Sequence, residues 1–543
     1  MNMTKNPKLY KSGLMAVLGL LTLVVQPSAA SLAAGASATQ DRQAAAETQT
    51  LRLPLDEAIV RTLKYNLGLA AEMLTPQILD ETVALAGEKF YPSLSFTYNK
   101  QDTKTASYSF LDASDVVSTA QNDNTTQFLQ VLPTGGSFTA SLYNYTTDSN
   151  RSFQTINPRF GSTLRFIFSQ PLLKDFGLKV SRREIIVARY SRDVSEENFN
   201  KLLEDTIYSV ESAYWNLVYS IENLNVRRQS LKLAQELLEK NRAEIEAGTL
   251  PPIELLTAEA EVSLRQADIL EAEALVRNNE ELVKTVINLA ADTGDAKNVR
   301  IVPTDSPTVE KREIGFDAAL ETALLNRPDL EAMRIDLQSR QFAVSYARNQ
   351  LLPDVRFQLS YWSPGISGTS ILYQGNNALS GIVIGTVPGK KSDALKDAFN
   401  FTYRNSAIGI TVTLPVSNVI SRAYYAQARV SLDQAKLRIK NQEQQLTLEL
   451  GNTVRAVETN YQRTQAYKSA RELAQRKLEA ELEKFKVGMS TNYLVLQFQR
   501  DLANAQTLEL KALIDYEISL ANLDKVMGVG REGRNVKVVQ ESE

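Results

Sequence analysis

The chain is written twice, and that duplication limits its fold more than any other feature. Leu55-Asp56-Glu57-Ala58-Ile59 is answered by Phe316-Asp317-Ala318-Ala319-Leu320, and Phe90-Tyr91-Pro92-Ser93-Leu94 by Leu351-Leu352-Pro353-Asp354-Val355. Further on, Ser181-Arg182 matches Ser421-Arg422 and Gly248 matches Gly488. A period this long marks two copies of one large structural unit. The repeats run over 53–290 and 314–528, joined by a link at 291–313 and followed by a polar tail at 529–543.

Each copy has the same order of parts. A helical segment stops near Pro92 or Pro353, and two alternating segments separated by a polar loop end at Pro171 or Pro415. A very long helical segment then runs to Gly248 or Gly488, and a shorter one returns to about Ala290 or Gly528. The alternating segments have the period of strands. Leu94, Phe96 and Tyr98 alternate with Ser93, Ser95 and Thr97, and Ile408, Ile410 and Val412 alternate with Ala407, Gly409 and Thr411. Their length is about the 9–11 residues of a tilted membrane strand. The pattern alone equally suits a half-buried strand of a soluble sheet.

The long helices carry another period. Leu203, Ile207, Val210, Tyr214, Leu217, Ile221 and Leu224 follow at alternating spacings of four and three, continued by Leu231, Leu238 and Ile245. That 3.5-residue repeat predicts left-handed supercoiling. Trp215, Val218 and Val226 widen the stripe, so the helix has apolar surface for neighbours on both sides, as a ring of helices requires. Ser181 to Ala247 spans roughly 100 Å as a helix, and the two shorter segments of a repeat, stacked end to end, match it. Four columns and four strands per chain follow. The smallest membrane barrels have about eight strands, so the chain must oligomerise, most economically as a ring.

Composition narrows the function. The 543 residues include no Cys and no His, and the net charge is −3. This removes disulfides, thiolate nucleophiles, most zinc sites and the commonest general base. No global basic field calls for nucleic acid or anionic lipid. Residues 1–38 read as a signal peptide, with Lys5, Lys8 and Lys11 before an apolar run from Leu14 to Val25. Cleavage after Ala30, Ala34, Ala36 or Ala38 is equally compatible with the sequence. No later run approaches the length of a membrane helix, so a membrane-integral mature chain must use a closed β-barrel.

Several stretches resemble the TolC-like outer-membrane efflux proteins. They are Ala213-Tyr214-Trp215-Asn216-Leu217-Val218, the run from Ala247-Gly248-Thr249-Leu250-Pro251-Pro252 to Ala260, Leu325-Asn326-Arg327-Pro328-Asp329-Leu330, Ser169-Gln170-Pro171-Leu172-Leu173, and Phe485-Lys486-Val487-Gly488. The resemblance implies a mixed α and β membrane protein with long coiled-coil helices forming a periplasmic α-barrel. It further implies four transmembrane strands per chain and a 12-stranded barrel in a homotrimer, with an equatorial belt from the link and tail. It implies a passive exit duct, without cofactor or catalysis, of a tripartite efflux pump or type I secretion system. The partners it implies are outer-membrane lipid, a periplasmic adaptor (membrane fusion) protein and an inner-membrane transporter of RND, ABC or MFS type. A periplasmic adaptor would show one helical hairpin between lipoyl-like segments. An exported coiled-coil scaffold would need no alternating segments.

The same resemblance places the working residues at the periplasmic tips. Gly248 and Gly488 suit the left-handed end of a helix, Pro251 a first helical turn, and Thr491 or Asn492 a cap. Thr249 and Leu250 complete the first tip. In the best-known member the second tip presents acidic residues; here Leu494 and Gln497 stand at those positions, Phe485 keeps the aromatic one, and Ser490 stands at a basic one. Glu254 is the acidic residue that matches. A mainly apolar gate with one Glu254 ring is the expectation.

One further departure is the loop from about Asn99 to Gly161. Thr126 to Val131 and Ser137 to Tyr145 read as a hairpin around Pro133-Thr134-Gly135-Gly136. It could stand above the barrel, fold into the lumen, or add two strands to the wall. The first is favoured, because extra strands would upset the match between barrel and helical ring. The counterpart loop, Ser363 to Tyr403, reads as Gly-rich and less ordered.

Overall fold

The computed structural model describes residues 49–109, 112, 114–248, 250–293 and 298–533. The expected signal peptide at 1–38, Thr249 and the end of the expected polar tail, 534–543, lie outside the described residues. β1 (Gln49–Leu53) leads into α1 (Leu55–Tyr65) and α2 (Leu67–Gly87). Then come β2 (Ser93–Ala106), β3 (Val116–Val131), β4 (Ser137–Ser149), β5 (Ile156–Pro171), the short α3 (Leu178–Ser181), the 64-residue α4 (Arg183–Glu246) and α5 (Ile253–Val286). The link holds α6 (Leu289–Thr293) and β6 (Val299–Pro303). The second half repeats the plan: α7 (Phe316–Asn326), α8 (Pro328–Asn349), β7 (Asp354–Tyr373), β8 (Val383–Val387), α9 (Lys391–Phe399), β9 (Asn405–Thr413), the 68-residue α10 (Val419–Lys486), α11 (Asn492–Met527) and α12 (Gly530–Gly533).

α4 and α10 are roughly 95–100 Å long at 1.5 Å per residue. The shorter helices form composite columns beside them. Asn66 Nδ2 donates to the Val286 carbonyl, 3.2 Å, and Asn288 Nδ2 to that of Tyr65, 2.8 Å, so the top of α5 meets the α1–α2 junction. In the second half Gly528, left-handed at φ 71°, ends α11 against the Asn326 carbonyl. Each opening helix is broken, which the sequence reading missed. Asn66 turns out of the helix and caps α2, accepting from the Leu69 N–H at 3.0 Å, and Pro328 forces the same break at Arg327.

The heptad stripe is buried as expected at Leu203, Ile207, Val210, Tyr214, Leu217 and Leu224. Beyond it the buried seam moves to Ser230, Ala234, Leu237 and Asn241, while Leu231, Leu238 and Ile245 are half-buried. Here α4 packs against α5 and α11 instead of the waist, and meets α10 only at the small core of Leu237 and Leu478 and at Lys240 over Phe485. At the waist β1 and β6 pair, and Leu53, Val299 and Ile301 join the α4 core. The Tyr214 hydroxyl donates toward Asp305 Oδ2, 2.6 Å, and the Leu53 carbonyl, 3.0 Å, and accepts from the N–H groups of Thr304 and Asp305, each 3.2 Å. Burial and then the Asp305 carboxylate hold its pKa well above the usual phenol value.

The strands form one antiparallel sheet in the order β2-β3-β4-β5-β7-β9, with β8 added to the outer part of β7. This corrects the expected hairpin placement and the count of four strands. β3 and β4 lie inside the sheet, in unbroken register with β2 and β5 from end to end. The hairpin strands match their neighbours in length and hydrogen-bond to them on both sides, which holds them in the sheet. Their turn sits at the helical end of the sheet: Thr134 Oγ1 meets Gln170 Oε1 at 2.8 Å, and Gly177 N–H donates to the Thr134 carbonyl at 3.1 Å. Gly135, at φ 94°, lies so close to the Asp175 carbonyl that no Cβ fits. The Ser363–Tyr403 loop is also more structured than expected, holding β8 and α9.

Candidate functional site

The registers sort every strand residue onto one of two faces. Leu94, Phe128, Ala140, Phe166 and Tyr361 lie in one row, and Ser95, Gln127, Ser141, Arg165 and Trp362 in the adjacent row on the other side. The first face carries an apolar band on five of the six strands: Leu94 to Tyr98 on β2, Phe138 to Leu142 on β4, Leu164 to Phe168 on β5, Val355 to Tyr361 on β7 and Ile408 to Val412 on β9; β3 adds Phe128 to it, between the polar Gln130 and Thr126. The second face is polar, with Gln121, Asp123, Arg165, Arg356 and Gln358. From β2 to β9 the band descends by about six residues across five strand steps, a slope of about 40° at 3.3 Å per residue and 4.8 Å per strand. Barrel strands tilt by about 35–45°. A horizontal lipid layer crossing tilted strands leaves this slanted band. Both outermost strands have a free edge within the chain, and Leu94, Phe96, Ile408 and Ile410 there are at least 65% exposed.

At the opposite end lie the two helical tips. α10 closes with a Schellman motif: Met489 N–H donates to the Lys484 carbonyl and Gly488 N–H, at φ 76°, to that of Phe485. The Thr491 hydroxyl caps α11, so Asn492 does not. Asn492 is instead 2% exposed, and its side chain finds no partner among the described residues. Ser490 Oγ donates to Glu481 Oε1 at 2.6 Å and Lys484 Nζ to Oε2 at 3.1 Å, holding Glu481 below its usual pKa. Leu494 is half-buried and Gln497 exposed. In the first tip Gly248 is left-handed at φ 77°, and Leu250 is half-buried. Pro251 precedes the helix rather than opening it: α5 begins at Ile253, and the Pro251 carbonyl accepts from the Glu254 N–H at 3.1 Å. Glu254 stands half-exposed in the first turn of α5.

The two tips are joined within the chain. Lys240 Nζ stands 4.3 Å from the centre of the Phe485 ring, and Leu237, Leu478, Val495 and Leu496 form a small core behind it. Above that core is a cluster that sequence reading missed. Arg265, 4% exposed, donates Nε to Glu261 at 3.0 Å, Nη1 to the Ser230 carbonyl at 2.7 Å and Nη2 to the Leu496 carbonyl at 3.3 Å. Arg500 closes on the other oxygen of Glu261. Burial pushes the Glu261 pKa up, and the two guanidiniums outweigh it and hold the carboxyl below its usual range. The available signal was an i, i+4 acid–base pair on a face otherwise made of Ala258, Val262 and Ala272.

A slanted lipid band over a polar face, carried on helices of about 100 Å, defines a membrane duct with a long aqueous extension. The match to the family model for outer membrane efflux proteins covers residues 169–289 and 319–529. The chain belongs to the outer membrane efflux protein family. It is a passive channel, not an enzyme, sited in the outer membrane and reaching into the periplasm. It assembles as an oligomer and works with other components of an efflux system.

The fold is similar to that of the outer-membrane channel OprN, at 15% identity and a TM-score of 0.62 over 88% of this chain and 90% of that one. It is similar also to the CmeC outer-membrane channel of Campylobacter jejuni, at 17% identity and 0.59 over 88% and 86%. A third likeness is to the open state of the Neisseria gonorrhoeae MtrE channel, at 20% identity and 0.56 over 88% and 89%. No curated protein matches the chain in sequence.

Proposed function

We propose that three copies close the sheet by pairing β9 of one chain with β2 of the next, making the outer-membrane end of a duct for an efflux pump or type I secretion system. The two exposed edges carry this reading. Each presents unpaired backbone groups and apolar side chains on the lipid face, which no single chain can satisfy. Three copies of six long strands give eighteen in the ring, over twelve helical columns. The mismatch is accommodated because the hairpin turn rests on Asp175 and Gly177 and continues into no helix. The chain lacks cysteine, so one cysteine on β2 and one on β9 report only the proposed seam. Oxidation in outer membranes should give a ladder that ends at three chains. A ladder ending at two, or no ladder, overturns the trimer.

The repeat boundaries, 53–290 and 314–528, then describe two hairpin-and-strand units whose tips face the periplasm. Gly248, Leu250, Pro251, Phe485, Gly488 and Ser490 form the turns offered to a periplasmic adaptor, which couples the duct to an inner-membrane transporter of the RND, ABC or MFS type. The apolar core behind Phe485 supports a gate made mainly by packing. Three copies of Glu254 would be its charged ring, so Glu254→Gln should weaken cation preference in bilayer recordings. Unchanged selectivity removes that ring from the gate.

A further inference from the structure

The lipid face of the sheet is not bare above its apolar band. α9 lies across it, seated by Ala394 and Ala398, 1% and 0% exposed. Gly365 permits the approach, because any Cβ there would collide with the Ala394 carbonyl. Between α9 and strands β3 to β5 is a groove of about 430 Å³. It lies one rung beyond Leu142 and Leu164, at the end of the sheet remote from the helices.

The groove is two-sided in chemistry. Its floor is a polar chain in which Ser162 Oγ donates to Asn144 Oδ1 at 2.7 Å and Asn144 Nδ2 to Asn124 Oδ1 at 3.0 Å. Beside it, Asn122 Oδ1 is buried with no hydrogen-bond partner among the described residues, an acceptor waiting for a donor. Lys391 stands at the rim over the Phe160 ring, 5.4 Å from its centre. Lys390 and Lys396 are exposed nearby. The α9 side is apolar: Leu395 lines the groove, Phe399 is exposed beyond it, and the Phe401 ring lies 5.6 Å from that of Tyr361, where the band ends.

We propose that this groove holds the headgroup of a phosphorylated glycolipid of the outer leaflet. Sugar hydroxyls would donate to Asn122, phosphate would meet Lys391, and acyl chains would descend along the apolar band. The inference rests on reading the apolar face as lipid-facing. The cations, the unpaired acceptor and the continuity with the band together select this occupant: a zwitterionic phospholipid leaves the cations unmatched, and an anionic one without a sugar leaves Asn122 unpaired.

The test is native mass spectrometry of the intact oligomer in detergent. The probes are a diphosphorylated glucosamine-disaccharide lipid, its dephosphorylated form and phosphatidylmethanol, an anionic phospholipid whose headgroup has no hydroxyl donor. Retention of the first should exceed that of the other two by about tenfold or more, and Lys391→Glu should remove the preference. Lys391→Arg should restore it, which separates charge from folding. Equal retention of all three lipids, or a preference unchanged in Lys391→Glu, overturns the proposal. The same spectrum gives the oligomer mass, so failure of the trimer is read separately from failure of the groove.

Discussion

Replacing Arg265 by Met tests how the tips are held. Arg265 gives three hydrogen bonds that tie α5 to α4 and α11, and with a fourth it neutralises, on its own helix, a Glu261 that is 7% exposed. Among the described residues its loss leaves only Arg500 paired with that carboxylate, and Arg500 is itself largely solvent-exposed. Breaking one side of a buried pair costs about 3–5 kcal/mol, whereas replacing both members by apolar side chains is often neutral. At about 1.4 kcal/mol per factor of ten, the lower figure predicts a loss of amide protection on the order of a hundredfold. The loss should appear in 258–268 of α5 and 496–502 of α11, read by hydrogen exchange. Protection at the waist, around Tyr214, should not move. Glu261→Met with Arg265→Met should recover most of the loss. The pH response has a definite sign. A carboxyl held below its ordinary value supports the fold above about pH 4.3 and loses that support as pH falls through its lowered pKa. If the single variant keeps full protection, or the double variant is the worse of the two, the cluster is not what binds the tips.

The remaining expectations concern other parts of the chain. Glu204, 4% exposed, accepts from the Arg531 N–H, and burial raises its pKa. Burial outweighs the Gly530 and Arg531 contacts, which favour the charged carboxylate, so the folded α4 around Glu204 should gain protection as pH falls from 7 toward 5, seen in hydrogen exchange at 203–207 after correction for intrinsic exchange, and Glu204→Gln should flatten that response. Gly365→Ala should detach α9, costing about tenfold or more in exchange protection at 391–399 while leaving β7 protected. Deleting 116–149 joins β2 to β5 through the outer turn, and the barrel diameter seen by electron microscopy should shrink by about a third. Tyr214→Phe should open the β1–β6 belt by about 1.5–3 kcal/mol, read as faster exchange at Thr304 and Asp305.

Much of the architecture was legible because it depends on repetition and period. The two copies, the long helices with left-handed tip glycines at Gly248 and Gly488, and the opening helices that give way to strands after Pro92 and Pro353 all follow from local rules. What escaped depends on partners far away in the chain. The hairpin looked like an excursion because sequence shows its strands but not that Thr134 and Gly177 meet. α9 was hidden in a Gly-rich loop, since two alanines seat it and its reason for being is a glycine on another strand. The seam shift from Leu231 to Ser230 and Ala234 reflects a change of neighbour, which a single periodic stripe cannot report. Arg265 and Glu261 were invisible for the opposite reason: charged residues on a helix are usually solvated, and these are not.

The turn of the inserted hairpin closes at the same level as the feet of β2 and β5, beside Gln170 and Asp175. A chain that detours down and up again before β5 re-enters the helices at the point, and in the direction, it would have had without the detour. Such an insertion is topologically neutral. Width can thus be added to the pore in steps of two strands, and never one, since an odd step would deliver α4 to the wrong side of the bilayer. The girth of the exit and the bore of the periplasmic tube are then separately heritable, and lineages of these ducts are free to vary one while the other stays fixed to its pump.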